Sequence, residues 1–143
     1  MKAVLDTVVF VRALLNPHNR ASDILLGDLA LRYTLVLSPA IVEEIIDVLY
    51  RPSLRLRFPQ MADPPRLQLV LSALELAEIV EPETRFQVCR DPGDDKFLDC
   101  AVQAEASYVV SEDRDLLDMQ QFRGIRMVSV AEFVALLAPD GLR

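Results

Sequence analysis

Four short apolar runs constrain the fold more than any other feature: KAVL at 2–5, YTLVL at 33–37, YVVS at 108–111 and IRMVS at 125–129. Each is followed by a stretch with helical spacing. Strands that alternate with helices predict an α/β sandwich around a mainly parallel sheet. Helices are expected over Thr7–Leu15, ending in the turn NPHN, and over 21–31, 66–80, 91–106 and 130–138, with a short helical piece at 113–119. Ser38 is an N-cap and Pro39 a first helical residue for a helix reaching Tyr50. Residues 51–65 read as a proline-punctuated connection with room for one short helix, and FQVC at 86–89 as a short edge strand. A chain of 143 residues without repeats or a linker is expected to be one domain over 1–143.

The first run carries the first hint of chemistry. AVLDTVVFV, residues 3–11, is apolar and β-branched except for Asp6 and Thr7. An isolated carboxylate is seldom buried unless it is paired or holds a metal. Asp6 is therefore either a strand-end turn residue or part of a site.

Composition narrows the classes. The chain is 52% hydrophobic, no apolar stretch approaches membrane-span length, and the N-terminal MKAVLDT meets a carboxylate too early for a signal peptide. We read a cytoplasmic protein with no membrane partner. Cys89 and Cys100 are the only cysteines, with no CxxC, so reduced core thiols are expected in place of a zinc site or a disulfide framework. His18 is the only histidine, which excludes a two-histidine ribonuclease, and a Ser–His–Asp triad would need His18 and has no supporting motif. The net charge of −7 argues against nucleic-acid binding through a general basic surface. The bases are nearly all arginine, which leaves local phosphate recognition open. Arg12 on the first helix and Arg51, Arg55 and Arg57 in RPSLRLR are the candidates for contacts to RNA, although ordinary surface arginines are commoner, and His18 reads as an exposed turn residue.

The acids fall into a pattern. In open α/β sheets ligands bind beyond the carboxyl ends of the strands. Asp6 follows the first strand and Asp113 lies two residues after YVVS. In the helix from Pro39, Glu44 sits in the apolar stripe of Ile41, Ile45 and Val48, while Glu43 and Asp47 fall on the polar side. In the later helix Asp94 shares a face with Leu98 and Ala101, whereas Asp95, Asp99 and Gln103 form a row expected to face solvent. A helix N-cap is the plain alternative for Asp94. Asp6, Glu44, Asp94 and Asp113 gathered without a cation would repel one another and raise their pKa values. A hard divalent cation with oxygen ligands resolves this, and Mg²⁺ or Mn²⁺ suits such a set better than zinc.

VLDTVVFV, LSPAIVEEIIDVLYRPSL, RDPGDDKFLDCAVQAEASYVVSEDRDLL and IRMVSVAEFVALL, in that order, resemble a PIN-domain protein of the group related to VapC toxins of toxin–antitoxin pairs. The resemblance implies a three-layer α/β/α sandwich and metal-dependent ribonuclease activity. It places the metal-binding and catalytic acids on Asp6, Glu44, Asp94 and Asp113, with Asp115 as a further metal-supporting acid. Thr7 and Ser111 fall on the hydroxyl positions that support the site. One position departs: members usually carry Asn after D-T or D-S, and here it is Val8, which cannot donate the amide hydrogen bonds that orient a ligand carboxylate. The resemblance also implies an RNA substrate, a small antitoxin partner and a homodimer, for which LVLSALELAEIV offers apolar surface. Three rivals stand beside it. These are a catalytically silent PIN-fold binding module, a structure-specific DNA nuclease with the same ligands, and a phosphoacceptor receiver-like domain, which lacks its late-strand lysine.

Overall fold

The structure, a computed structural model, describes residues 1–138. The single-domain expectation for 1–143 includes residues 139–143, which lie outside the described residues. Six strands form one sheet: β1 (Lys2–Leu5), β2 (Thr34–Leu37), β3 (Glu78–Ile79), β4 (Tyr108–Val110), β5 (Gln121–Phe122) and β6 (Ile125–Val128). Their order is β3-β2-β1-β4-β6-β5, and every pairing is parallel except β5 with β6. Among the described residues eight α-helices connect the strands: α1 (Thr7–Leu15), α2 (Arg20–Leu25), α3 (Pro39–Leu49), α4 (Pro52–Arg57), α5 (Pro64–Leu76), α6 (Asp95–Ala104), α7 (Arg114–Leu117) and α8 (Val130–Leu137).

The chain moves from β1 outward to β2 and β3, then returns across the sheet to β4 on the other side of β1. Right-handed crossovers therefore set α1 and α3 on one face and α6 on the other. The packing agrees, since α6 lies against β1, β2 and β4 while α1 packs on α2, α3 and α5. This is the expected α/β sandwich with a mainly parallel sheet. Its core is continuous, from Leu5, Leu37 and Val110 of the sheet to Phe10, Ile41, Ile45, Leu98 and Phe133 of the helices, all wholly buried.

Local signals behave as their chemistry requires. Ser38 Oγ accepts from Ile41 N, with Pro39 as first helical residue. Ser129 and Glu132 close a capping box at the start of α8. Several expectations are corrected. The stretch 21–31 is broken at Gly27 into α2 and a 3-10 turn over Asp28–Arg32. The 51–65 connection holds α4 and a second, 3-10 turn over Pro59–Ala62, and α5 already begins at Pro64. The helix expected to reach residue 80 stops at Leu76. Glu78 and Ile79 pair with Val36 and Leu37 instead, and Val80 N donates to Leu37 O at 2.9 Å. The open edge of β2 outcompetes helical periodicity there.

FQVC forms no strand. Its amides are taken by acids of α6: Val88 N and Cys89 N donate to Asp95 Oδ1 at 3.1 and 2.9 Å, and Phe86 N to Asp99 Oδ1 at 2.7 Å. Gln103 Oε1 accepts from Glu83 N at 2.9 Å. The row expected to face solvent is thus a ladder that fastens the irregular 83–89 segment to α6, and Asp95 is only 8% exposed. Burial would raise the Asp95 carboxyl, but the two amides outweigh it and hold it below the ordinary value.

Candidate metal and nucleic-acid site

At the topological switch between β1 and β4, the carboxyl ends of the two strands open a crevice. Asp6 leaves β1 into it. Its amide donates to Val110 O of β4 at 3.0 Å, and its Oδ1 caps α1 by accepting from Val8 N and Val9 N at 3.1 and 3.4 Å. Its other oxygen accepts from the Ser111 hydroxyl, which is wholly buried. Ser111 Oγ in turn accepts from Asp113 N at 2.9 Å, and Asp113 caps α7 by accepting from Asp115 N at 2.9 Å. One hydroxyl therefore ties the acid after β1 to the turn after β4.

Glu44 reaches the crevice from α3, where the apolar stripe places it. Thr7 Oγ1 donates to one of its oxygens, and Lys96 Nζ lies 2.6 Å from the other. Lys96 also donates to Gly93 O at 2.7 Å. Asp94 stands at the start of α6 but makes no capping hydrogen bond. The cap of the preceding 3-10 turn is Asp91, which accepts from Gly93 N at 2.9 Å. The capping alternative for Asp94 is thereby removed. Its Oδ2 is instead buried without a hydrogen-bond partner.

Asp6, Glu44, Asp94 and Asp113 line one hollow of about 310 Å³, together with Thr7, Val8, Arg12, Phe97 and Glu112. The four acids come from four separate elements, as the sequence pattern required. As placed, no three acid, histidine or cysteine side chains are gathered closely enough to grip a single ion among the described residues. Glu44 is drawn toward Lys96 and Thr7, and one Asp6 oxygen is held by Ser111. The donor set still fits a hard divalent cation. It is all oxygen, one of its oxygens is an unpartnered buried carboxylate atom, and its electrostatics are strained without a cation. Burial pushes Asp94 up to about 7, helped by the charge of Asp113, a hydrogen bond with it, and the charges of Asp91 and Asp6. Burial also raises Asp6, with the charge of Asp113 adding to it, while Ser111 and the two α1 amides hold it down in part.

Other expected residues lie elsewhere. Asp115 does not line the hollow but pairs with Arg90 at 2.9 Å. Arg51 pairs with Asp47 at 2.7 Å on the exposed side of α3. Arg55 Nε donates to Leu49 O at 3.0 Å and its guanidinium lies 4.4 Å from the Tyr50 ring, so it packs against the end of α3. Of the arginines singled out, Arg12 alone lines the hollow. Val8, 48% exposed, presents a methyl surface at its wall. Sequence reasoning missed Lys96 and Glu112. Lys96 sits two residues after Asp94 in a helix that begins between them, a spacing that gives no facing signal. Glu112 was overlooked beside Asp113, although residues just past a buried strand end are where ligands gather. Cys100 is buried and its thiol is pushed up to about 12 by that burial, so it serves the core.

Comparison with known proteins gives the family and the fold. A family model described as PIN domain matches residues 2–115, and the chain belongs to the PIN-domain family, whose members are generally nucleases. The chain is 32% identical to the uncharacterized protein MJ1680 of Methanocaldococcus jannaschii over 124 residues, 84% of this chain and 76% of that one. Its fold is similar to the crystal structure of PAE2754 from Pyrobaculum aerophilum, with TM-score 0.62 and 17% identity over 98% of this chain and 91% of that chain. It is also similar to VapBC2 from Rickettsia felis bound to a DNA fragment from their promoter, with TM-score 0.58 and 14% identity over 90% of this chain and 98% of that chain. No helix of the described residues is long and apolar enough to cross a membrane.

Proposed function

We propose that the chain is a divalent-metal-dependent endoribonuclease of the cytoplasm and the toxin of a toxin–antitoxin pair. The observation that carries this reading is the convergence of four acids from four elements on one hollow, with a buried Asp94 oxygen left unpartnered. Asp6, Glu44, Asp94 and Asp113 would hold Mg²⁺ or Mn²⁺ directly or through water, with Asp115 supporting Asp113 from behind. Such an ion supplies activation of water, polarisation of the phosphate and charge stabilisation of the leaving oxygen. The chain's own residues prepare the site. Ser111 and the α1 amides fix the Asp6 carboxylate, Thr7 donates to Glu44 at the wall, and Arg12 offers a fork of donors to the RNA backbone.

The fold's likeness to VapBC2 supports a small antitoxin as partner. Such a protein would cover the crevice with a basic side chain among the carboxylates, as Lys96 does internally for Glu44. Leu69 and Leu76 of α5, 55% and 88% exposed, offer apolar surface for a second copy.

Incubation of the purified protein with fluorescent single-stranded RNA in Mg²⁺, in Mn²⁺ and in EDTA tests the activity. Cleavage in metal that stops in EDTA and in Asp6→Asn supports the reading. Cleavage of duplex or flap DNA with RNA left intact moves the chain to a DNA nuclease. The exposed Val8 at the wall favours one second reading, a silent binding module, in which wild type cleaves none of these substrates in either metal.

A further inference from the structure

A second hollow, of about 500 Å³, adjoins the acid crevice and shares two of its walls, Arg12 and Glu112. It is otherwise lined by His18 and Asn19 of the α1–α2 turn, by Arg20 and Ala21 at the start of α2, and by Ser129, Val130 and Ala131 at the start of α8. Its charge is unlike that of the chain as a whole, whose net charge is −7. Arg12 and Arg20 are both exposed and neither has an acidic partner among the described residues. The one carboxylate present, Glu112, is engaged, accepting from Val130 N at 3.0 Å.

The turn that presents these groups is fixed rather than loose. Asn19 Nδ2 donates to Arg12 O at 2.9 Å, and Asn19 Oδ1 accepts from Ser22 N at 2.9 Å, which ties the end of α1 to the start of α2. Asn16 Oδ1 accepts from His18 N at 2.8 Å, and the Ser22 hydroxyl bonds Ala13 O at 3.0 Å and Asn16 O. Arg12 lies six residues along α1 from Asp6, a rise of about 9 Å. A polyanion lying across the acids would therefore meet two arginines, unpaired among the described residues, beside a fixed turn as it leaves them.

We infer that this hollow is a phosphate subsite for the RNA strand running out of the acid crevice. Arg12 and Arg20 bind the phosphodiester next to the scissile one, and the His18 ring flanks the adjoining nucleotide. The inference rests on the reading of the chain as a ribonuclease. It gives His18 and Arg20 a task in place of an exposed turn. It also gives an acidic protein a local pair of cations beside the cleft where the strand must pass.

Binding of a 5′-fluorescein single-stranded RNA 12-mer, followed by anisotropy in EDTA over a series of salt concentrations, tests the subsite without cleavage. Arg12→Ala combined with Arg20→Ala is expected to weaken binding about tenfold. Loss of the one neutralised phosphate should reduce the slope of log K against log salt by about 0.7. His18→Ala should weaken binding about fivefold with the slope unaltered, as loss of stacking does. Arg126→Ala, an exposed arginine of β6 that lines neither hollow, should bind as wild type does. Affinity and slope equal to wild type in the double variant, or no RNA binding by wild type at all, would overturn the subsite. The two readings fail separately. Wild type that cleaves RNA in Mg²⁺ but binds it independently of both arginines loses the subsite and keeps the nuclease. Arginine-dependent binding without cleavage in either metal does the reverse.

Discussion

Lys96 Nζ stands 2.6 Å from Glu44 Oε1, with both side chains largely out of solvent, so an ammonium from the first turn of α6 neutralises one of the four acids of the crevice. The contact offsets part of the repulsion that gathering carboxylates entails. It also places a positive charge beside a site whose chemistry favours a divalent cation. Lys96→Met is expected to tighten Mn²⁺ binding about fivefold, on the order of 1 kcal/mol, by removing a like charge and freeing Glu44. Isothermal titration calorimetry measures it. Weaker binding in the variant would mean that Lys96 orients Glu44 for the ion instead of competing with it.

The Asp94 carboxyl, raised to about 7 by burial and by Asp113, makes the metal-free protein sensitive to pH. A carboxyl whose folded pKa exceeds its ordinary 3.8 binds protons more tightly folded than unfolded. Its stabilisation is therefore full below the ordinary value and is lost as pH rises toward 7. In EDTA we expect a higher Tm at pH 5 than at pH 7.5, and Asp94→Asn should shrink that difference. A Tm that rises across this window in wild type, with the variant unchanged, would contradict the placement of Asp94 among the acids.

Asp95, next in sequence, behaves oppositely because it satisfies amides instead of facing acids. Asp95→Ala leaves the Val88 and Cys89 N–H groups without their acceptor and should destabilise the fold by about 3 kcal/mol in urea unfolding, with Asp95→Asn costing about 1 kcal/mol. Because its folded pKa is depressed, the contribution is present above the ordinary value and is lost as pH falls below about 4. An Asp95→Ala protein as stable as wild type would show that the 83–89 segment needs no such fastening.

Much of this was legible in the sequence, and the exceptions share a cause. Strands β1, β2, β4 and β6 are apolar runs that carry their own signal, and Asp6, Glu44, Asp94 and Asp113 could be placed from strand ends and helix faces. What the sequence withheld depends on partners distant along the chain. Glu78 and Ile79 look helical until the edge of β2 is beside them. FQVC has the composition of a strand, yet its amides are claimed by Asp95 and Asp99 from a neighbouring helix. For the same reason those two acids look like a solvent face by spacing alone. Strand β5 is two residues long and exists only through its antiparallel pairing with β6. Arg51 and Arg55 show the limit of reading charge without geometry, since both are occupied by groups of α3.

Val8, at the position where the resemblance to PIN-domain proteins implies Asn, is exposed at the crevice wall. There is room for an amide there. Val8→Asn should raise metal affinity or kcat/KM up to about tenfold, the scale on which groups that orient ligand carboxylates act. Calorimetry and RNA cleavage on the same preparation check it. A loss in both would mean that the apolar surface itself contributes to the site.

The most direct measurement is Mn²⁺ affinity in wild type and in Asp6→Asn, Glu44→Gln, Asp94→Asn and Asp113→Asn, each first shown to be folded by circular dichroism. If the four acids make one metal site, wild type binds Mn²⁺ and every variant weakens it at least tenfold, with RNA cleavage falling in parallel. Wild type that binds no Mn²⁺, or binds it equally well without any one of the four, would contradict a shared site at the β1–β4 crevice.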